Sequence, residues 1–198
     1  MARLILASAS TIRATLLRNA GVEFDVQPTR IDEQAIRESL QAEGASAHDI
    51  ADALAEHKAL RAANRNPQGL VLGCDQILEC AGEIYQKPRD PQEATAQLKR
   101  LRGQTHRLHT AAVLYAQGAA IWRHVSTPRL TMRKFSDDFL NDYVARYWDD
   151  IRYCVGGYQI EGPGIRLFHQ IEGDIFAVQG LPLLELLNIL TQRKDIAG

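Results

Sequence analysis

The stretch from Gly69 to Pro88, GLVLGCDQILECAGEIYQKP, restricts the fold more than any other part of the chain. Its apolar run Leu70-Val71-Leu72 is short enough for a buried strand and follows the breakers Asn66, Pro67 and Gly69. The run meets Gly73 and then Asp75, which puts a carboxylate where a buried strand should be leaving the core. A second apolar segment, Ile77 to Cys80, follows; Ala81-Gly82 turns the chain, and the stretch closes on Lys87-Pro88. An acid and a lysine brought together by such a hairpin suit a metal ion and a phosphate. The plainer reading is a β-hairpin whose Asp75 caps a turn and whose Lys87 is solvated; this stretch alone favours that reading.

Short apolar runs and helical patterns continue along the rest of the chain. Arg3 to Ala7 reads as a first strand, and Ser10 as the N-cap of a helix with Ile12, Leu16 and Leu17 on one face, ended by Asn19-Ala20-Gly21. A strand-to-helix junction with small hydroxyl residues (Ser8, Ser10) aims backbone N–H groups outward at the positive end of a helix, a natural anion site to which Arg13 could add charge. The competing reading is two capping serines and a surface arginine. Val22 to Val26 is a second strand, with a helix from Ala35 to about Ala42 behind Asp32-Glu33, acids stabilised at a helix N-terminus.

Ser46 to Ala63 is a long alanine-rich helix with a Ser46/Asp49 cap and apolar Ile50, Leu54 and Leu60; its Lys58 equally suits a solvated surface. Pro91 to Arg102 is a further helix, closed by Gly103. Thr105–Ala116 and Ala120–Met132 read as one long antiparallel pair, followed by a helix from Ser136 to Trp148. From Val155 to Gly164 the chain is a Gly- and Pro-rich loop anchored by Tyr158 and Ile160. A strand at Ile175 to Val178, a turn at Gly180-Leu181-Pro182 and a helix through Leu190 complete the pattern.

With 198 residues, 45% hydrophobic, the chain can bury a real core as a single domain or a domain of two lobes. Its formal charge of -1 gives no basic field to recruit nucleic acid or anionic membrane, so any phosphate recognition must be local. Three cysteines (Cys74, Cys80, Cys154) without a CxxC pair argue against a zinc site or a disulfide framework and for buried thiols in a reducing compartment. Leu4 to Ala7 is too short for a signal-peptide core and no run reaches membrane-spanning length, so a cytoplasmic setting is expected. His106 and His109, three apart in a strand pattern, point to opposite faces; no HExxH or Ser/His/Asp grouping is present, and the six histidines read as structural or surface residues.

Three segments, LILASASTIRATLLRNAG, GCDQILECAGEIYQKPRDPQEATAQLKRLRGQTHRLHTA and GGYQIEGPGIRLFHQIEGDIFAVQGLPLLELL, together resemble the Maf family of nucleoside-triphosphate pyrophosphatases over nearly the whole chain. The resemblance implies a two-lobed α/β fold like that of the inosine-triphosphate pyrophosphatases, a curved mixed β-sheet flanked by helices, with a cleft between lobes in a single domain over 1–198. It implies hydrolysis of a nucleoside triphosphate, modified or noncanonical, to the monophosphate and pyrophosphate, with a divalent cation (Mg²⁺ or Mn²⁺) and a homodimeric state. Some members are linked to arrest of cell division, so a nucleotide-binding regulator with little hydrolysis is the alternative.

Carried over by position, Ser8, Ser10 and Arg13 match the family's phosphate-binding motif, Glu33 an acid near the cleft and Lys58 the basic position of the long helix. Asp75 matches the central catalytic acid and Lys87 the lysine of the Lys-Pro pair, with Asp75 and Glu33 as metal ligands. The chain departs where the family usually has Pro-Arg-Arg, here Thr11-Ile12-Arg13, and where Gln76 replaces a usual threonine. In the loop, Gly156-Gly157-Tyr158 resembles the branch associated with dTTP and UTP, whereas Glu161-Gly162-Pro163-Gly164-Ile165 resembles the branch associated with 7-methyl-GTP. Gln159 and Glu161 are the loop's candidate substrate contacts; Glu161 suits a base edge or a metal, and both readings stand.

Overall fold

The computed structural model describes residues 3–197. Its centre is an eight-stranded mixed sheet with helices on both faces, the α/β class the sequence predicts. Strands β1 (Leu4–Leu6), β2 (Phe24–Val26) and β3 (Leu70–Cys80) pair in parallel; β3 then runs antiparallel to β5 (Thr105–Ala116) in the order β2-β1-β3-β5, extended by β7 (Arg129–Met132) and β8 (Phe168–Glu172). β4 (Glu83–Tyr85) pairs the far end of β3, and β6 (Ala119–Ser126) pairs β5.

Three departures from the sequence reading matter. β3 is continuous, so Asp75 sits inside the strand rather than at its exit. The second member of the long antiparallel pair is split in two: Pro128, which has no N–H to give a ladder, falls in the break between β6 and β7. Ile175–Val178 is a helical turn (α6), because the Asp174 carboxylate accepts from the backbone N–H of Phe176 and Ala177 at 2.9 and 3.0 Å and starts a helix; the final strand is Phe168–Glu172. Four apolar residues fit either element, and the cap decides.

The helices follow their caps. Ser10 accepts from the Arg13 N–H to open α1 (Thr11–Asn19), Asp32 opens α2 (Glu33–Ala42), and Ser46 opens α3 (Ala47–Ala63). α4 (Pro91–Leu101) and α5 (Asp137–Ile151) follow Asp90 and Ser136, and α7 (Leu183–Gln192) completes the chain. The core has three parts. One face of β1, β3 and β5 packs under α3; the other packs under α1 and α7; and the far ends of β3 and β5 close against α4, α5 and the loop around Tyr158.

Candidate active site

The alanine-rich α3 builds the floor of the site. Ala51, Ala55, Ala59 and Ala62 are buried on the sheet, and opposite them β3 carries Gly73. A Cβ at Gly73 would lie 2.2 Å from the Ala55 carbonyl oxygen and 2.6 Å from the Ala59 nitrogen. The missing side chain therefore lets the helix backbone touch the strand. Lys58 lies on the same stretch of helix and Asp75 two residues along the same face of the strand, and the close approach brings them together. The Lys58 Nζ bonds Asp75 Oδ1 and stands 2.8 Å from Glu33 Oε1 at the start of α2. The lysine that meets Asp75 thus comes from the helix, not from the hairpin, and it is buried rather than solvated; Leu60, expected on the core face, is the exposed residue.

Burial alone would push the Lys58 ammonium down, but Asp75 and Glu33 beside it hold it above its ordinary value. Burial likewise works to raise Glu33, and Lys58, with Lys87 and Arg13 farther off, outweighs it and holds the carboxyl below the usual range. The Lys58 ammonium and the Glu33 carboxylate are charged together over the neutral range.

Arg13 is a clamp. Its Nε donates to the Gly180 carbonyl at 2.6 Å, and its Nη1 donates to Ser8 Oγ and the Cys74 carbonyl, each at 3.1 Å. One side chain thereby ties α1 to β3 and to the turn after α6. Ser8 is buried and supports Arg13, whereas Ser10 reaches the cleft itself. Behind Asp75 the thiol of Cys74 is fully enclosed and burial pushes it up to about 11, so it stays protonated. Gln76 faces the other side of β3. Its amide nitrogen donates to the carbonyls of Ala177 and Val178 and to Thr110 Oγ1. Carbonyl oxygens only accept, so the nitrogen is fixed there and Oε1 is what Gln76 can offer the cleft.

These groups line a cleft of about 260 Å³ together with Lys87, Arg37 and the loop residues Tyr153, Cys154, Tyr158, Gln159 and Glu161. Among the described residues Lys87 makes no ion pair, and it also borders an adjoining hollow of about 410 Å³. Gln159 donates from Nε2 to the Asp150 carbonyl at 3.0 Å, which again leaves its Oε1 for a ligand. Two short 3-10 turns, Val155–Gly157 and Pro163–Leu167, shape this loop. Gly156 takes φ +77, and a Cβ there would lie 2.7 Å from the Tyr158 ring, so the glycine is a packing requirement.

Of the residues singled out from sequence, Ser10, Arg13, Glu33, Lys58, Asp75, Lys87, Gln159 and Glu161 share one cleft, and Ser8 lies beneath it. Sequence reading missed Arg37, which stands one helical turn after Glu33 on α2 and could have been found from that spacing. It also missed Tyr153, a large exposed ring at the rim.

A family model described as Maf-like protein matches residues 3–193. The chain belongs to the Maf-like family. A relative from Ruegeria pomeroyi, named nucleoside triphosphate pyrophosphatase, is 53% identical over 96% of this chain and 96% of its own length. One from Jannaschia sp., named nucleoside triphosphate pyrophosphatase 1, is 52% identical over 100% of both. A third, from Brucella abortus and named 7-methyl-GTP pyrophosphatase, is 45% identical over 99% of this chain and 98% of its own. Each matches this Maf-like chain over 96% or more of its length.

Proposed function

We propose that this Maf-like protein is a hydrolase that splits a nucleoside triphosphate into the monophosphate and pyrophosphate. The observation that carries this reading is the grouping of Lys58, Asp75 and Glu33 on the floor of a cleft rimmed by Arg13, Arg37 and Lys87. Water attacks the α-phosphorus, the bond to the β-phosphate oxygen breaks, and pyrophosphate leaves. The water's proton passes to the Asp75 carboxylate, whose Oδ2 accepts no hydrogen bond among the described residues. Charge building on the phosphoryl oxygens is met by Lys58, Lys87, Arg37 and the remaining amino group of Arg13.

Asp75 and Glu33 converge on one point, held there by the same ammonium, and they are the hard oxygen donors that would hold Mg²⁺ or Mn²⁺. Among the described residues no group of three His, Cys, Asp or Glu gathers. That donor set fits a cation that takes one or two carboxylates from protein and further oxygens from substrate phosphates. Bound there, it would supply neutralisation of phosphoryl charge.

The base pocket offers acceptors: Gln76 Oε1, Gln159 Oε1 and the Glu161 carboxylate. A base edge rich in N–H donors, such as the adjoining N1–H and N2–H₂ of a guanine or a modified guanine, suits it better than a pyrimidine edge. The test is pyrophosphate release from GTP, 7-methyl-GTP, CTP, UTP and dTTP with each cation, in wild type and Asp75→Asn. Release that favours the guanine nucleotides and disappears in Asp75→Asn is expected; undiminished release by Asp75→Asn would remove the assignment. The commitment of two Arg13 nitrogens to protein atoms favours, as a second reading, a nucleotide-binding regulator. Nucleotide-dependent thermal stabilisation without pyrophosphate release would establish it.

A further inference from the structure

No step above uses His106, yet its chemistry is unusual for its place. It lies on β5 opposite Leu130, 1% exposed, among Leu108, Leu130, Tyr158 and Phe168. Its Nε2 is 2.8 Å from the Tyr158 hydroxyl, while its Nδ1 is buried with no partner among the described residues. A polar atom enclosed without a hydrogen bond is costly, and an apolar side chain at this position would avoid that cost. What the imidazole supplies in return is the single bond to Tyr158. Burial holds the ring neutral, down to about 4, so that bond is made by an uncharged imidazole.

Tyr158 is the peg on which the loop hangs. Its ring stands edge-on to Phe168 with centroids 4.8 Å apart and packs tightly against Gly156. Gln159 follows it directly and Glu161 lies three positions on; all three line the cleft. The orientation of the Tyr158 ring is therefore the orientation of the loop that faces the base. A second support, from the Tyr143 hydroxyl to the Gly157 carbonyl, is longer at 3.4 Å. Loss of the His106 bond should loosen the loop without releasing it.

We propose that His106 is a positioning residue for base recognition: through the Tyr158 hydroxyl it fixes the loop that presents Gln159 and Glu161 to the nucleotide. This inference deepens the nucleotide reading of the same cleft and rests on it. The phosphate-facing groups (Lys58, Lys87, Arg37) lie on other elements, so His106 should govern affinity for the base and leave affinity for the phosphate chain alone.

The experiment compares wild type, His106→Phe, His106→Gln and Tyr158→Phe, each below its melting temperature, for Kd of GTP, UTP and inorganic tripolyphosphate and for kcat and KM. The Tyr158→Phe variant removes only the hydroxyl, and it stands in if His106→Phe does not fold. Expected are a roughly five- to tenfold weaker binding of the preferred nucleotide in His106→Phe and Tyr158→Phe, carried by KM rather than kcat. Tripolyphosphate affinity should be unchanged, and His106→Gln, which keeps a hydrogen-bonding nitrogen or oxygen near the same place, should recover most of the loss. Variants that melt earlier but keep the wild-type ratio of nucleotide to tripolyphosphate affinity would overturn the proposal and leave the nucleotide reading standing. Wild type that binds tripolyphosphate as tightly as every nucleotide would overturn both.

Discussion

Helix α3 carries two ionic groups of the same composition in opposite surroundings. On its inner side the Lys58 ammonium lies between Asp75 and Glu33, with side-chain exposures of 11%, 9% and 43%. On its outer side Arg123 of β6 lies between Asp52 and Glu56, at 2.5 and 3.0 Å, with the arginine 47% exposed. In the outer group the arginine stays half in water, with Asp52 and Glu56 20% and 32% exposed, and such partly hydrated pairs contribute modestly to stability. In the inner group charges lose water, and only their mutual contact compensates. A stable fold does not need the buried Lys58–Asp75 pair; the proposed phosphate site uses it. The deeper burial of that pair, against exposures of 20% to 47% in the outer group, is what separates the two sides of the helix.

The comparison can be broken most severely at Asp75. Asp75→Asn removes the proposed proton acceptor while preserving shape, and turnover should drop roughly 10²- to 10⁴-fold in a pyrophosphate-release assay. Lys58→Met should cost about 3–5 kcal/mol in denaturant unfolding at pH 7, because it leaves the buried Asp75 carboxylate without its cation. The sign with pH follows from the directions of the shifts. Glu33 is held below its ordinary 4.5 in the fold, so its contribution is present above that value and lost as pH falls through the folded value. Lys58 is held above its ordinary 10.5, so its contribution is full below that value and lost on raising the pH through the folded one. The Lys58→Met deficit should accordingly shrink on acidification, as the orphaned Glu33 carboxylate protonates.

A histidine supplies the contrast case of a buried titratable group with no counter-charge. His106 is neutral in the fold down to about 4, while the unfolded chain takes up its proton near 6.5. Stability should fall by roughly 3 kcal/mol as pH drops across that interval, and His106→Phe should flatten that slope in a series of thermal melts. Gly73→Ala should cost about 1–3 kcal/mol and reduce turnover as well, since the added methyl has only backbone to meet and must push α3, with Lys58, off the strand. The smallest effect belongs to the outer group: Arg123→Ala should change stability by less than about 1 kcal/mol, and the difference should fade in high salt.

Much of this architecture was legible in the sequence, because the signals are local. Ser10, Asp32 and Ser46 start helices for a stated hydrogen-bonding reason, and Ala81-Gly82, both at positive φ, turn the β3–β4 hairpin. The acid at position 75 could be read as chemistry because a carboxylate rarely sits in an apolar strand. Two features resisted. Alanine on nearly every turn of α3 gives no contrast between faces, so Lys58 looked as much a surface residue as a buried one. The segment Ile175–Val178 is apolar and four residues long, and its helical state depends on a cap outside the pattern that suggested a strand. The two roles of Arg13, clamp and cleft wall, required contacts across 61 and 167 positions of chain, which no local pattern contains.

The pairing of β3 with β5 has a consequence for how the protein comes into being. That ladder joins residues 71–79 to residues 107–115, with helix α4 formed between them, and Asp75 sits opposite Ala111 at its middle. Closing so large a loop is slow compared with forming any single helix. On the ribosome the acid, its lysine and its glutamate are all made, with β1 in place beside the start of β3, before β5 exists to cover Asp75. Catalytic competence should appear late and all at once, with the register of a single pair of strands, and a chain arrested before Ala116 has no site to assemble.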